Sequence, residues 1–167
     1  FSDAADRDDD NDGVPDADEI AGTYTGGLPT DPRDNDTDGD GLGDGLELGF
    51  TCAGGGGVVV VPCDDPNMPF TNYLTNPAPA LIFRPDLDPN TKTDPLDADS
   101  DDDGIADGVE DLSANGRVDS GETDAADHDT DGDLIFDGTE AGLTTAFADT
   151  NLAANHFVAD ADAGASV

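Results

Sequence analysis

Apolar residues are sparse and scattered along this chain, and the order lies in the polar positions. The longest aliphatic stretch is Val58 to Val61, far below the ~20 residues of a membrane-spanning helix. Val58–Val61 and Ala80–Phe83 have β-strand composition and predict a small sheet. Elsewhere, oxygen-bearing side chains recur at places 1, 3, 5, 9 and 12 of twelve-residue windows, with glycine at place 6 in four of the five. Gly, Pro and Asp flank these windows and leave room for one helical turn after each place 12. The pattern predicts a mostly irregular chain of tandem loops with one-turn helices, plus a small β element.

The first loop carries Asp8, Asp10, Asp12, Asp16 and Glu19, with Gly13 at place 6. The second carries Asp36, Asp38, Asp40, Asp44 and Glu47, with Gly41, and the third Asp99, Asp101, Asp103, Asp107 and Glu110, with Gly104. The fourth is a weaker copy: Asp111, Ser113, Asn115, Asp119 and Glu122, with Gly116. The fifth carries Asp129, Asp131, Asp133, Asp137 and Glu140, but Leu134 replaces the glycine. The chain contains five glutamates, and all five stand at place 12. That register separates the pattern from a solvated acidic run.

Composition sharpens the picture. Leu, Ile, Val and Phe are 32 of 167 residues, and Gly and Pro add 21 and 11. So few apolar residues with a formal charge of −36 are the signature of disorder. The charge excludes nucleic acid and anionic membrane surfaces as partners, since both require a basic face. Clustered carboxylates repel by about 4 kcal/mol per pair ~4 Å apart at an effective dielectric near 20. Five Lys and Arg cannot balance 41 acidic residues, so an ordered chain calls for bound cations.

The spacing suits calcium, which takes 6–8 oxygens at roughly 2.3–2.6 Å from such a loop. Places 1, 3 and 5 supply side chains, and place 7 its backbone carbonyl, here Val14, Leu42, Ile105, Arg117 and Ile135. Place 9 binds directly or through water, and the longer carboxylate at place 12 binds with both oxygens. Glycine at place 6 permits a turn at positive φ. Magnesium demands a tighter octahedron, and zinc prefers nitrogen and sulfur. About five calcium ions are expected, with room for more, because five would offset only 10 of the 36 negative charges.

The motif DxDxDGxxDxxE, in stretches such as TDPRDNDTDGDGLGDGLE and DGVEDLSANGRVDSGETD, resembles the thrombospondin type 3 repeats of secreted and surface proteins, particularly their bacterial versions. The resemblance covers residues 1–49 and 93–142. It implies an irregular chain wrapped around a row of calcium ions, acting as a stalk, spacer or adhesive segment. Two features depart from it: Glu at place 12, where animal repeats mostly carry Asp, and the absence of regular cysteines. An EF-hand would need amphipathic flanking helices, a dockerin would need two evenly spaced loops, and the GGxGxD repeats of a calcium β-roll are absent.

The chain divides into residues 1–49 with two loops, an insertion at 50–92, residues 93–142 with three loops, and a linker at 143–167. Asp3/Asp6, Asp31/Asp34, Asp94/Asp97 and Asp124/Asp127 form headers before four loops. Each header either builds a further calcium site or is a turn that initiates the loop. In the insertion, Cys52 and Cys63 are expected to pair in an oxidising, extracellular setting. The four-valine strand serves as local core or as an edge that recruits another chain. The C-terminal HFVADADAGASV matches IFRPDLDPNTKT, with Phe157 over Phe83 and Asp160 over Asp86. The N-terminal FSDAADRDDDNDG matches the stretch that follows. This suggests one unit of a longer array or a subunit assembling head to tail. The absence of an initiator Met fits a processed chain or fragment.

No Ser or Cys forms a nucleophile elbow with His128 or His156, so no enzyme is expected. Asn35-Asp36-Thr37 matches a glycosylation sequon by coincidence, inside a loop. The sequence thus predicts an extracellular calcium-binding structural protein whose folding is driven by the metal, self-associating or continuing into further repeats. Two other readings remain open: an adhesin binding a partner through 50–92, and a calcium buffer.

Overall fold

The computed structural model describes residues 8–52, 60–61 and 84–161. The elements are short: α1 Asp16–Ala21, α2 Asp44–Glu47, β1 Thr51–Cys52, β2 Val60–Val61, α3 Asp107–Glu110 and α4 Asp137–Glu140. The chain is mostly irregular, as its composition predicts. The helical turns sit elsewhere than expected. Each starts at place 9 and ends at or just beyond the place-12 glutamate instead of following it. The reason is local: the place-9 N–H donates back to the carbonyl just before place 1. These bonds are Asp44 to Asn35 (3.1 Å), Asp107 to Ala98 (3.2 Å) and Asp137 to His128 (3.1 Å). Each bond closes the loop and starts the helix at once. Among the described residues the fourth loop carries no helix.

β1 and β2 pair in parallel, Thr51 with Val60 and Cys52 with Val61. The second expected strand, Ala80–Phe83, lies outside the described residues, as do Cys63, Asp3 and Asp6.

The first, second, third and fifth loops follow one another in a row. Gly108 of the third loop donates its N–H to Asp40 Oδ2 of the second at 2.6 Å. Gly138 of the fifth does the same to Asp103 Oδ2 of the third at 2.7 Å. Both glycines stand at place 10, and both are needed there. A Cβ at either would overlap the backbone carbonyl of the preceding loop's place 5, Asp40 or Asp103. The chain returns from the insertion through a bond of Asp86 N–H to Phe50 O at 2.8 Å. The fourth loop stands beside this returning segment, where Leu87 N–H donates to Asn115 O (2.9 Å) and Thr91 to Gly116 O (2.5 Å). The C-terminal segment crosses the third loop through Phe147 N–H to Gly104 O at 3.0 Å and Asn151 N–H to Asp102 Oδ1 at 2.6 Å.

Among the described residues the apolar core is small. Val14, Leu42, Leu46, Phe50, Ala98, Ala106 and Ala125 are buried, and Tyr24 meets Phe50 edge-on at 5.2 Å. Against these seven side chains, fourteen Asp and Glu of the described residues are equally buried. The interior is therefore built around carboxylates.

Candidate metal centre

Within each strong loop the carboxylates organise the backbone before any ion is considered. Place 1 accepts the N–H of place 6: Gly13 to Asp8 (3.2 Å), Gly41 to Asp36 (3.1 Å) and Leu134 to Asp129 (2.8 Å). Place 3 accepts from place 5, as in Asp103 N–H to Asp101 at 3.0 Å. Place 5 accepts from place 7: Val14 to Asp12 (2.7 Å), Leu42 to Asp40 (2.7 Å), Ile105 to Asp103 (2.8 Å) and Ile135 to Asp133 (2.9 Å). These are Asx-type turns, with the side chain standing in for a backbone acceptor.

Each such bond at places 3 and 5 uses Oδ1. The second oxygens of Asp10, Asp12, Asp38 and Asp101 are buried with no hydrogen-bond partner. So are Glu19 Oε2 and Glu47 Oε2 at place 12. A buried carboxylate oxygen without a partner costs its full desolvation penalty, so this arrangement fits a cation that takes up the second oxygens. Ligand atoms of Asp8, Asp10 and Asp12 lie within 4.8 Å of one another, and the same holds for Asp36, Asp38 and Asp40 and for Asp99, Asp101 and Asp103. Oxygens this close can fit around one calcium ion, whose opposed ligands stand roughly twice 2.3–2.6 Å apart. None of the described hydrogen bonds ends on the carbonyls of Val14, Leu42, Ile105, Arg117 or Ile135, the expected place-7 ligand of each loop.

Electrostatics point the same way. Burial and then neighbouring carboxylates push Asp12 up to about 10, Glu19 to about 8, Asp101 to about 8 and Glu110 to about 10. Burial, followed by the charges of Asp38 and Asp40, drives Glu47 well above the usual range. Burial thus disfavours the charged form of these groups, a cost that a bound cation would offset.

Place 9 behaves differently from the other ligand positions. Asp44 receives both the N–H and the hydroxyl of Thr37, at 2.8 and 2.7 Å. Ser100 does the same to Asp107 at 2.8 and 2.6 Å, and Thr130 Oγ1 donates to Asp137 at 2.5 Å. In the first loop Asp9 N–H serves Asp16 at 2.8 Å. Asp44 is gathered with Asp12 and Glu19 of the preceding loop, and Asp137 with Asp103 and Glu110 of the third.

The three described headers form turns. Asp34 N–H donates to Asp31 O at 2.9 Å, Asp97 to Asp94 at 2.9 Å and Asp127 to Asp124 at 2.7 Å. Each header's first N–H then meets the place-2 hydroxyl: Asp31 to Thr37 (3.1 Å), Asp94 to Ser100 (2.9 Å) and Asp124 to Thr130 (2.8 Å).

The fourth loop satisfies itself. Glu122 accepts Ser113 N–H (2.8 Å) and Asp119 N–H (2.9 Å), while the Asn115 amide reaches Ser113 Oγ (2.6 Å) and Asp119 (2.9 Å). Arg117 pairs with Asp119 at 2.6 Å. The Asn115 amide and then Arg117 hold the Asp119 carboxyl below its usual range. The loop's own donors occupy the positions where its neighbours leave oxygens unpartnered.

Several contributors were missed in the sequence. The place-2 hydroxyls are one set, legible as D-T-D and D-S-D. Another is the Thr before each header, since Thr30 reaches Glu19 (3.2 Å) and Thr93 reaches Glu47 (3.1 Å). Place 4 is a third: Asn11, Gly39, Asp102, Ala114 and Gly132 all adopt positive φ. Asp86 is a further buried carboxylate with an unpartnered Oδ2, pushed up to about 6 by burial. His128 and His156 stack at 3.9 Å beside Phe136, and His156 Nδ1 lies 2.7 Å from Asp101 O. They brace the C-terminal segment against the third loop.

No protein-family model, curated protein or solved structure matches the chain.

Proposed function

We propose that this chain is an extracellular calcium-binding structural protein, a stiff stalk or fibre segment of the thrombospondin type 3 kind, whose folding is driven by calcium. The observation that carries the reading is the division of labour within Asp10, Asp12, Asp38 and Asp101: one oxygen accepts from the loop backbone, and the other is buried, unpartnered and grouped with neighbouring carboxylates within calcium-sphere distance. Metal binding then replaces the missing apolar core, so binding energy is folding energy. Loops of this kind in extracellular modules work at dissociation constants of ~10⁻⁴–10⁻³ M, which suits calcium outside cells. None of the described helices is long and apolar enough to cross a membrane.

Continuation into further loops is part of the proposal. Asp160 N–H donates to Leu143 O at 2.7 Å, as Asp86 does to Phe50. Leu143 and Phe50 each stand three residues after a place-12 glutamate. The C-terminal segment thus leaves the fifth loop by the same contact through which the chain rejoins the row after the second.

A calcium titration of chelator-treated protein, followed by circular dichroism and hydrodynamic radius with magnesium as control, tests the reading. Cooperative compaction specific to calcium is expected. A chain that stays expanded at millimolar calcium would overturn it.

A further inference from the structure

The loops are not separate cups. Place 5 and place 12 of one loop converge with place 9 of the next in the row: Asp12 and Glu19 with Asp44, and Asp103 and Glu110 with Asp137, each group offering oxygens within 4.8 Å of one another. All six side chains are buried, between 0% and 4% exposed. Asp12 Oδ2 and Glu19 Oε2 have no partner. The cross-loop bond of Gly138 N–H to Asp103 fixes this register, and Gly108 N–H to Asp40 fixes the same one between the second and third loops. Asp44 spends one lone pair of each oxygen on Thr37, which leaves a lone pair on each for a further ligand.

We propose that each ion is shared between consecutive loops, with Asp44 completing the coordination of the ion held by Asp12 and Glu19, and Asp137 that of the ion held by Asp103 and Glu110. The inference rests on the calcium-binding reading above. It assigns the place-9 carboxylate outward, to the preceding loop's metal, while its hydroxyl partner at place 2 ties it to its own loop. Each ion is then a staple between consecutive loops.

Counting bound calcium on the full chain by native mass spectrometry tests this. Glu19→Gln, Asp44→Asn and the double variant should each lose the same single ion, as should Glu110→Gln, Asp137→Asn and their double variant. Glu47→Gln removes the second loop's own place-12 ligand, so combined with Asp44→Asn it should lose two ions. A Glu19→Gln/Asp44→Asn protein that loses two ions overturns the sharing, and so does an Asp44→Asn/Glu47→Gln protein that loses only one. Wild-type protein that binds no calcium would instead overturn the reading on which this rests.

Discussion

Leu134 stands at place 6, where the other loops carry glycine, and it adopts φ 78° while Gly13, Gly41 and Gly104 adopt 99–110°. A left-handed backbone costs a residue with a Cβ about 1–2 kcal/mol. Leu134 recovers little of that by burial, being 88% exposed. Leu134→Gly should therefore stabilise the calcium-loaded protein by about 1 kcal/mol, read as a higher midpoint in chemical denaturation. The sign is clear because nothing packs on the lost side chain. At this scale the acidic clusters were legible, since the side chains read at places 1, 3 and 5 come together in the structure as Asp8, Asp10 and Asp12, Asp36, Asp38 and Asp40, and Asp99, Asp101 and Asp103. What the ligand pattern could not reveal was the supporting layer. A hydroxyl at Thr37, Ser100 or Thr130 matters through the place-9 carboxylate it holds, and ion chemistry alone does not demand it.

Among elements, the one-turn helices are too short to be stable alone. Those of the third and fifth loops persist because each is closed onto its own loop at place 9 and pressed onto the preceding loop of the row at place 10. Gly138→Ala should cost about 1–3 kcal/mol, the usual range for overpacking, because the added methyl meets the Asp103 carbonyl and not a yielding side chain. Calcium-loaded thermal unfolding of this variant, set beside Ala17→Gly, gives the measurement. Ala17 occupies place 10 of the first loop and is exposed, so its replacement should change stability by less than about 1 kcal/mol. The direction of the row was not legible in the sequence. Loop starts 28 and 63 residues apart give no sign that the second and third loops are neighbours. The contact is made by backbone N–H groups, which leave only a glycine as their trace.

For the whole molecule, the buried carboxylates set an unusual pH dependence. Their folded-state pKa values are raised, with Asp107 at about 8 and Asp12 and Glu110 at about 10, chiefly by burial. Unfolded, they titrate near 4. Over that interval the folded metal-free chain binds more protons than the unfolded one, so its stability falls as pH rises. In chelator, the protein should be most compact near pH 4–5 and expand progressively toward pH 8–10, the reverse of ordinary acid denaturation. Calcium should abolish the expansion. Circular dichroism across a pH series with and without chelator checks both statements, and a chelated chain that unfolds on acidification would contradict the burial of these groups. The hydrogen bond that joins Phe50 to Asp86 has a separate consequence. It brings together the two ends of the stretch from 51 to 85 while the loops on either side stay in register. On the proposed calcium-binding reading that joint would act as a mounting socket: a different passenger whose own ends lie close together, exchanged there, should leave the frame of loops and its calcium count unchanged.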